Sequence, residues 1–341
     1  MNHISAHARA CTDMLRCILS ISLCSSILLQ AAPLPTNLLG AWSLDLESRQ
    51  PAWMRIIEEN GKQQAYLRVY VGSEGPYEIK SIDNGRIQFD MRKRKKTDAG
   101  RISVVSTVDV GVMNGQLDGV IKSPTDKGSA VTRIHFTGTK ISSMPKTPPD
   151  LTRVRFGNRI TLFNGKDLTG WRPYESNKIM GWSVEDSLLV NNTPKTDFSA
   201  TGAYANLRTV EEFEDFRLHI EFLVGKDRNS GVYLRGMYEA QVVDRDSRMQ
   251  GLQGVGAIFS RIAPSINAGK PGGAWQTYDI TLLDRHVTVI LNGMKVIDNQ
   301  PVIGPTGGAI YTNPDRPGPI YLQGDHTSVK YRNIYLEPVL K

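Results

Sequence analysis

Asn229-Ser230-Gly231-Val232-Tyr233-Leu234-Arg235-Gly236-Met237-Tyr238-Glu239-Ala240-Gln241-Val242-Val243-Asp244 carries a period-two pattern. Read as continuously extended chain, it places Tyr233, Arg235, Met237, Glu239 and Gln241 on one face and Val232, Leu234, Tyr238, Ala240 and Val242 on the other. The second face is apolar, as packing against a core requires. The first lines up an arginine, a carboxylate and an amide, where a merely wetted sheet surface more often carries Thr, Lys and Ser. It therefore reads as a ligand-binding face. Asp244 falls on the opposite parity and would act from the strand end, where structural capping is an equal alternative.

Outward from this block the same texture continues. Phe216 to Val224, Thr277 to Leu283, Val287 to Leu291 and Ile320 to Leu322 are short β-branched and aromatic runs, and Asn292-Gly293 between Val287–Leu291 and Met294–Ile297 is a hairpin signal. Many short strands without a helical period predict an all-β fold, with a two-sheet jelly-roll sandwich over residues 159–341. Upstream, Met144-Pro145-Lys146-Thr147-Pro148-Pro149-Asp150 has the composition of a semi-rigid connector, so residues 144–158 read as a linker. Before it, residues 37–143 hold eight candidate strands separated by turn chemistry such as Asp83-Asn84-Gly85 and Asn114-Gly115. They predict a small all-β domain, a compact barrel or sandwich. Its Gly40-Ala41-Trp42 opening resembles small lipocalin-like barrels.

The first 32 residues have a different character. Arg9 and Arg16 precede an apolar run from Ile18 to Leu29, and Ala31-Ala32 supply small residues at a cleavage point, the pattern of a secretory signal peptide. All three cysteines, Cys11, Cys17 and Cys24, lie inside it. Its removal would leave an exported, soluble chain with no transmembrane segment, no disulfide and no thiolate chemistry. The 41 basic and 34 acidic residues give a net charge of +7, which names no partner by itself. The basic run Arg92-Lys93-Arg94-Lys95-Lys96 reads as a hairpin end and solvated loop, and no nucleic-acid partner is expected. Oligomeric state is not legible.

A second chemical block is Gly318-Pro319-Ile320-Tyr321-Leu322-Gln323-Gly324-Asp325-His326-Thr327. His326 beside Asp325 can serve as a base or a metal ligand, since a neighbouring carboxylate fixes the imidazole tautomer. His219 and His286 sit within strand patterns and read as structural. What is missing also discriminates. The position two after Glu239 is Gln241 rather than a second acid, which disfavours a two-carboxylate glycosidase on one strand. No HExxH helix, P-loop or dinucleotide fingerprint is present, so no nucleotide cofactor is expected.

Five ordered motifs together carry a resemblance. Leu162-Phe163-Asn164-Gly165-Lys166-Asp167-Leu168-Thr169-Gly170-Trp171, Asn229 to Arg235, Tyr238 to Val242, Trp275-Gln276-Thr277-Tyr278-Asp279-Ile280 and Tyr331-Arg332-Asn333-Ile334 resemble the 3-keto-disaccharide hydrolase family. That family is also described as 3-keto-glucoside 1,2-lyase and 3-keto-2-hydroxy-glucal hydratase. The resemblance spans about Arg159 to Pro338. It implies a concanavalin-like jelly roll and a 3-keto-sugar or other glycan as partner. The implied reaction removes the C2 proton, made acidic by the C3 ketone, expels the C1 glycosidic oxygen, and hydrates the resulting glucal. In the family the Asp-His pair is followed by Gly, whereas this chain has Thr327, which puts the geometry of that loop in question.

Carried onto this sequence, the resemblance implies Glu239 and His326 as catalytic residues, with Tyr233, Arg235, Gln241 and Gln323 as substrate contacts. Trp182 or Trp275 is a candidate to stack on a sugar ring, although core packing is the commoner use of a jelly-roll tryptophan. A divalent cation of unspecified identity would have Glu239, Asp244, Asp325 and His326 as candidate ligands. Two other classes remain open: a non-catalytic carbohydrate-binding module and a cell-envelope interaction protein.

Overall fold

The structure is a computed structural model that describes residues 32–69, 74–97, 100–125, 130–194 and 200–340. The expected signal peptide lies outside the described residues except for Ala32. Leu34–Lys341 forms one compact unit that contains two β structures.

The first is a closed up-and-down barrel. Its strands are β1 (Gly40–Leu46), β2 (Pro51–Glu59), β3 (Lys62–Val69), β4 (Tyr77–Asp83), β5 (Arg86–Thr97), β6 (Gly100–Met113), β7 (Gln116–Pro124) and β8 (Val131–Lys140). Each pairs antiparallel with the next, and β8 closes on β1 through Leu44↔Gly138 and its neighbours. Alternation fills the interior with Trp42, Met54, Leu67, Phe89, Val108, Val110 and Phe136. The Trp42 indole N–H donates to the Leu38 carbonyl at 2.9 Å, and Leu34 and Leu38 join the barrel's apolar core. The basic run, expected at a hairpin end and its loop, lies wholly in the hairpin end: β5 continues to Thr97 and its backbone pairs with Gly100–Val105. The hairpin is long enough for the ladder to extend through it.

The second is the jelly-roll sandwich. A one-turn 3-10 helix at Leu151–Arg153 leads into β9 (Arg155–Phe156), β10 (Ile160–Thr161), β11 (Trp171–Pro173), β12 (Trp182–Glu185), β13 (Leu188–Asn191) and β14 (Leu207–Thr209). Next come β15 (Phe216–Val224), β16 (Asn229–Leu234), β17 (Tyr238–Val243), β18 (Gln276–Leu283) and β19 (His286–Leu291). The last are β20 (Met294–Pro301), β21 (Tyr321–Leu322) and β22 (Val329–Leu340). One sheet has the order β12-β13-β22-β15-β18-β19-β20, with β9 and β10 added on β22; the other runs β11-β14-β21-β16-β17. Phe216, Leu218, Ile220 and Phe222 from the larger sheet meet Val232, Leu234, Ala240 and Val242 from the smaller one in a single apolar core. This fixes which face of β16 and β17 is left for a ligand.

Candidate active site

Strands β16 and β17 form a hairpin with Tyr233 opposite Glu239 and Gly231 opposite Gln241. Directly opposed residues share a face, so these four project away from the core. The continuous extended strand expected from the sequence is broken at Arg235 and Gly236, whose φ values of 55° and 64° turn the chain back. Arg235 therefore leaves the ligand face, contrary to expectation. Its guanidinium donates to the Pro314 carbonyl at 2.6 Å and to the Arg316 carbonyl, and it lies 3.8 Å from Asp215. Met237, also expected on that face, is buried in the core.

Above the polar face lies a cavity of about 510 Å³, lined by Tyr233, Glu239, Gln241, Gln323, Asp325 and His326 among others. Strand β21 brings in Gln323 by pairing antiparallel to β16, with Tyr321 opposite Tyr233. The far edge of β17 is covered by the segment around residues 257–259, where Gln241 donates to Ala257 and Phe259 to Glu239 through backbone bonds.

Glu239 is 3% exposed. Burial, with a smaller contribution from the nearby Asp325 charge, pushes its carboxyl up to about 8, against the lowering effect of a hydrogen bond with Tyr233. The Tyr233 hydroxyl has one proton and donates it to the Gly307 carbonyl at 2.8 Å. Glu239 is thus a neutral acid at neutral pH, and burial pushes the Tyr233 hydroxyl far above its usual range as well.

His326 stands across the cavity. Its Nδ1 lies 2.7 Å from Asp325 Oδ1, which leaves Nε2 as the nitrogen for a substrate. The loop carrying the pair is tied down from three sides. Asn206 Oδ1 accepts from the backbone N–H groups of Gly324 and Asp325, and the Asp325 carbonyl accepts from Thr201 N–H. Thr327, where the resemblance implies Gly, is fully buried; its hydroxyl donates to the Asn229 carbonyl at 2.7 Å and accepts from the Asn229 N–H at 2.8 Å. The hydroxyl anchors the loop to the start of β16.

Three buried amides complete the cavity. The side-chain oxygens of Asn229, Gln241 and Gln323 have no hydrogen-bond partner among the described residues. Leaving such acceptors dry and unpaired costs about 1–3 kcal/mol each, so a ligand rich in hydroxyls suits them. Asn229 and Asn206 were not singled out from sequence, because an asparagine at a strand end reads as ordinary turn chemistry.

Three further candidates lie elsewhere. Trp182 is in the core, stacked on Tyr331, and its indole N–H donates to Ala205; a β-carbon at Gly324 would collide with it, so it supports the His326 loop from below. Trp275 lies outside the cavity, with the Arg332 guanidinium 4.0 Å from its ring centre. Asp244 is saturated by the backbone N–H groups of Asp227 at 2.8 Å, Gly272 at 3.0 Å and Asp246 at 3.3 Å, and organises those loops. Of the four residues expected as a metal set, Glu239, Asp325 and His326 line the cavity, and Asp244 does not. Among the described residues no three His, Cys, Asp or Glu side chains form a metal-binding group.

Residues 158–337, more than half of the chain, match the model of the 3-keto-alpha-glucoside-1,2-lyase-like domain. A 3-keto-disaccharide hydrolase of Bacteroides thetaiotaomicron is 32% identical over 75 residues, which is 22% of this chain and 26% of that protein. Two solved structures are also similar. One, from Parabacteroides distasonis and provisionally described as a glycosyl hydrolase, is 21% identical with a TM-score of 0.43 and covers 54% of this chain and 94% of its own. The other, a β-glucanase of Bacillus licheniformis, is 11% identical with a TM-score of 0.32 and covers 55% of this chain and 98% of its own.

Proposed function

From the premise that this chain belongs to the 3-keto-alpha-glucoside-1,2-lyase-like domain family, we propose that it is an exported enzyme that cleaves 3-keto-disaccharides by elimination followed by hydration. The observation that carries this reading is the pairing, across one cavity, of a buried neutral acid, Glu239, with an aspartate-oriented imidazole, His326.

The two groups divide the chemistry. A C3 ketone makes the C2 proton acidic, and His326 Nε2 takes it while Asp325 holds the ring through Nδ1. As the C1–O bond breaks, Glu239 gives its proton to the departing oxygen, and a C1=C2 double bond conjugated to the C3 carbonyl remains. Water then adds at C1, with the Glu239 carboxylate taking its proton and the His326 imidazolium returning one to C2. Both residues end as they began, and the net change is hydrolysis. A retaining glycosidase would need a second carboxylate as nucleophile, and position 241 holds an amide instead. The Asn229, Gln241 and Gln323 oxygens accept from sugar hydroxyls.

Export rests on the leader-like residues 1–32. Among the described residues no helix is long and apolar enough to cross a membrane.

The test is incubation with 3-keto-trehalose or 3-keto-sucrose beside the unoxidised disaccharides. Release of 3-keto-glucose from the oxidised pair only is expected. Saturable binding without product would leave a carbohydrate-binding module, and cleavage of the unoxidised sugars would point to an ordinary glycosidase.

A further inference from the structure

The cavity has a wall that the sandwich does not supply. On β3 of the barrel, Leu67 points inward to the barrel core while Arg68 points outward, side by side with Trp53 on the paired strand β2. Both outward residues are buried, Trp53 at 3% and Arg68 at 6% exposure, because they meet the loop at residues 304–308. Gly304 lies flat on the Trp53 ring, where a β-carbon would come within 2.9 Å of it. Pro305 offers its carbonyl to Arg261, Thr306 accepts the Glu239 N–H at 3.0 Å, and Gly307 receives the Tyr233 hydroxyl. One short loop thus joins the barrel to the acid.

Arg68 lines the cavity itself. Its Nε and Nη2 are committed to Glu74 at 2.9 and 2.8 Å, and Glu74 is also clamped by Arg261. Nη1 makes no hydrogen bond among the described residues, and it would lie 3.5 Å from a β-carbon at Gly307, at the Tyr233 end of the cavity. Two guanidinium groups against one carboxylate leave a positive charge there. A guanidinium fixed on one edge and open on the other is built to donate to oxygens.

Position along the strand says which oxygens. Strand β21 runs antiparallel to β16 with Leu322 opposite Val232, so the Asp325–His326 end is level with Asn229, while Glu239 is opposite Tyr233. The Glu239 carboxyl reaches back over Gly231, two residues of strand from the Asn229 level, about 7 Å at ~3.3 Å per residue. The order along the cavity is base, acid, Arg68. A ring attacked at C2 by the base and relieved at C1 by the acid extends its leaving group beyond the acid.

We propose that the barrel completes the active site and that Arg68 binds the second sugar unit of a disaccharide through Nη1, making it a specificity-determining residue. This rests on the elimination reading above. It gives the barrel, which the family match does not include, a role in substrate choice.

The experiment compares kcat/KM for 3-keto-trehalose and for methyl 3-keto-α-glucoside in the wild type, Arg68→Met and Arg68→Lys. Lysine keeps a charge opposite Glu74 but lacks the second guanidinium nitrogen, so it separates sugar contact from barrel docking. Melting temperatures establish that each variant is folded. The ratio of disaccharide to methyl glycoside turnover should fall about tenfold to a hundredfold in both variants. An unchanged ratio overturns the assignment of Arg68 while leaving the proposed reaction standing. If the wild type cleaves neither compound, the proposed reaction falls. Binding of 3-keto-trehalose in a Glu239→Gln background then decides Arg68 alone: tenfold weaker binding with Arg68→Met supports it, and equal binding overturns it.

Discussion

The Glu239 carboxyl occupies the space that a side chain at Gly231 would fill: a β-carbon at 231 would overlap Oε1 and Cδ of Glu239. The two residues sit on the same outward face of the β16–β17 hairpin, two residue pairs apart. Gly231 has no positive φ to explain it, so the requirement is for room.

Gly231→Ala is therefore expected to push the acid out of its pocket. Turnover should fall by at least tenfold, with a stability loss of about 1–3 kcal/mol from overpacking. Kinetics together with denaturant unfolding check this. Full activity in the alanine variant would show that the carboxyl does not need its observed position.

Glu239→Gln removes the proton donor and should lower kcat by about 10²–10⁴ while substrate still binds. In the wild type, activity should decline as pH rises through about 8, where the acid loses its proton. Stability carries the same signature. The folded carboxyl holds its proton to about 8 against an ordinary 4.5, so between these values the unfolded chain binds fewer protons and stability falls as pH rises. The slope is on the order of 1 kcal/mol per pH unit. The glutamine variant lacks it, so its melting temperature relative to wild type should climb from pH 5 to pH 8. A constant difference would mean that Glu239 is ionised in the folded protein.

Much of this was legible before any coordinates. Alternation in Val232, Leu234, Ala240 and Val242 identified the core face, and the strand texture of residues 37–143 matched an eight-stranded barrel. Parity put Tyr233, Glu239 and Gln241 on one face, while their meeting with Gln323, Asp325 and His326 in one cavity was implied only by the family resemblance. Arg235 was misplaced because periodicity cannot register a turn whose residues keep the same parity; only the positive φ at Arg235 and Gly236 reverses the chain. For Trp182 and Asp244 the structural alternative holds. An indole and a carboxylate look the same in sequence whether they face a sugar or the backbone donors that fix a loop. Arg68 gave no signal, since a residue on a barrel exterior becomes part of a site only through docking.

Asp325→Asn leaves the loop's shape but loses the carboxylate that orients and stabilises the imidazolium. Turnover should drop about 10²–10⁴, comparable to loss of a general base. If steady-state kinetics show the asparagine variant within a factor of two of wild type, His326 is not the base.

Thr327→Val preserves volume but deletes the hydroxyl that both donates to and accepts from the Asn229 backbone. Two buried backbone groups lose their partner, which should cost about 1–3 kcal/mol in chemical denaturation and loosen the His326 loop. A neutral substitution would mean that the loop is held by Asn206 and Thr201 alone.

The central claim is that the C2–H bond breaks, and carbon-bound label tests it most directly. The enzyme cleaves 3-keto-trehalose in heavy water in a single turnover, and the released 3-keto-glucose is read at once by mass spectrometry against 3-keto-glucose held in the same solvent without enzyme. Elimination and hydration predict one deuterium at C2 above that control, whereas cleavage with no deuterium on carbon would contradict the account.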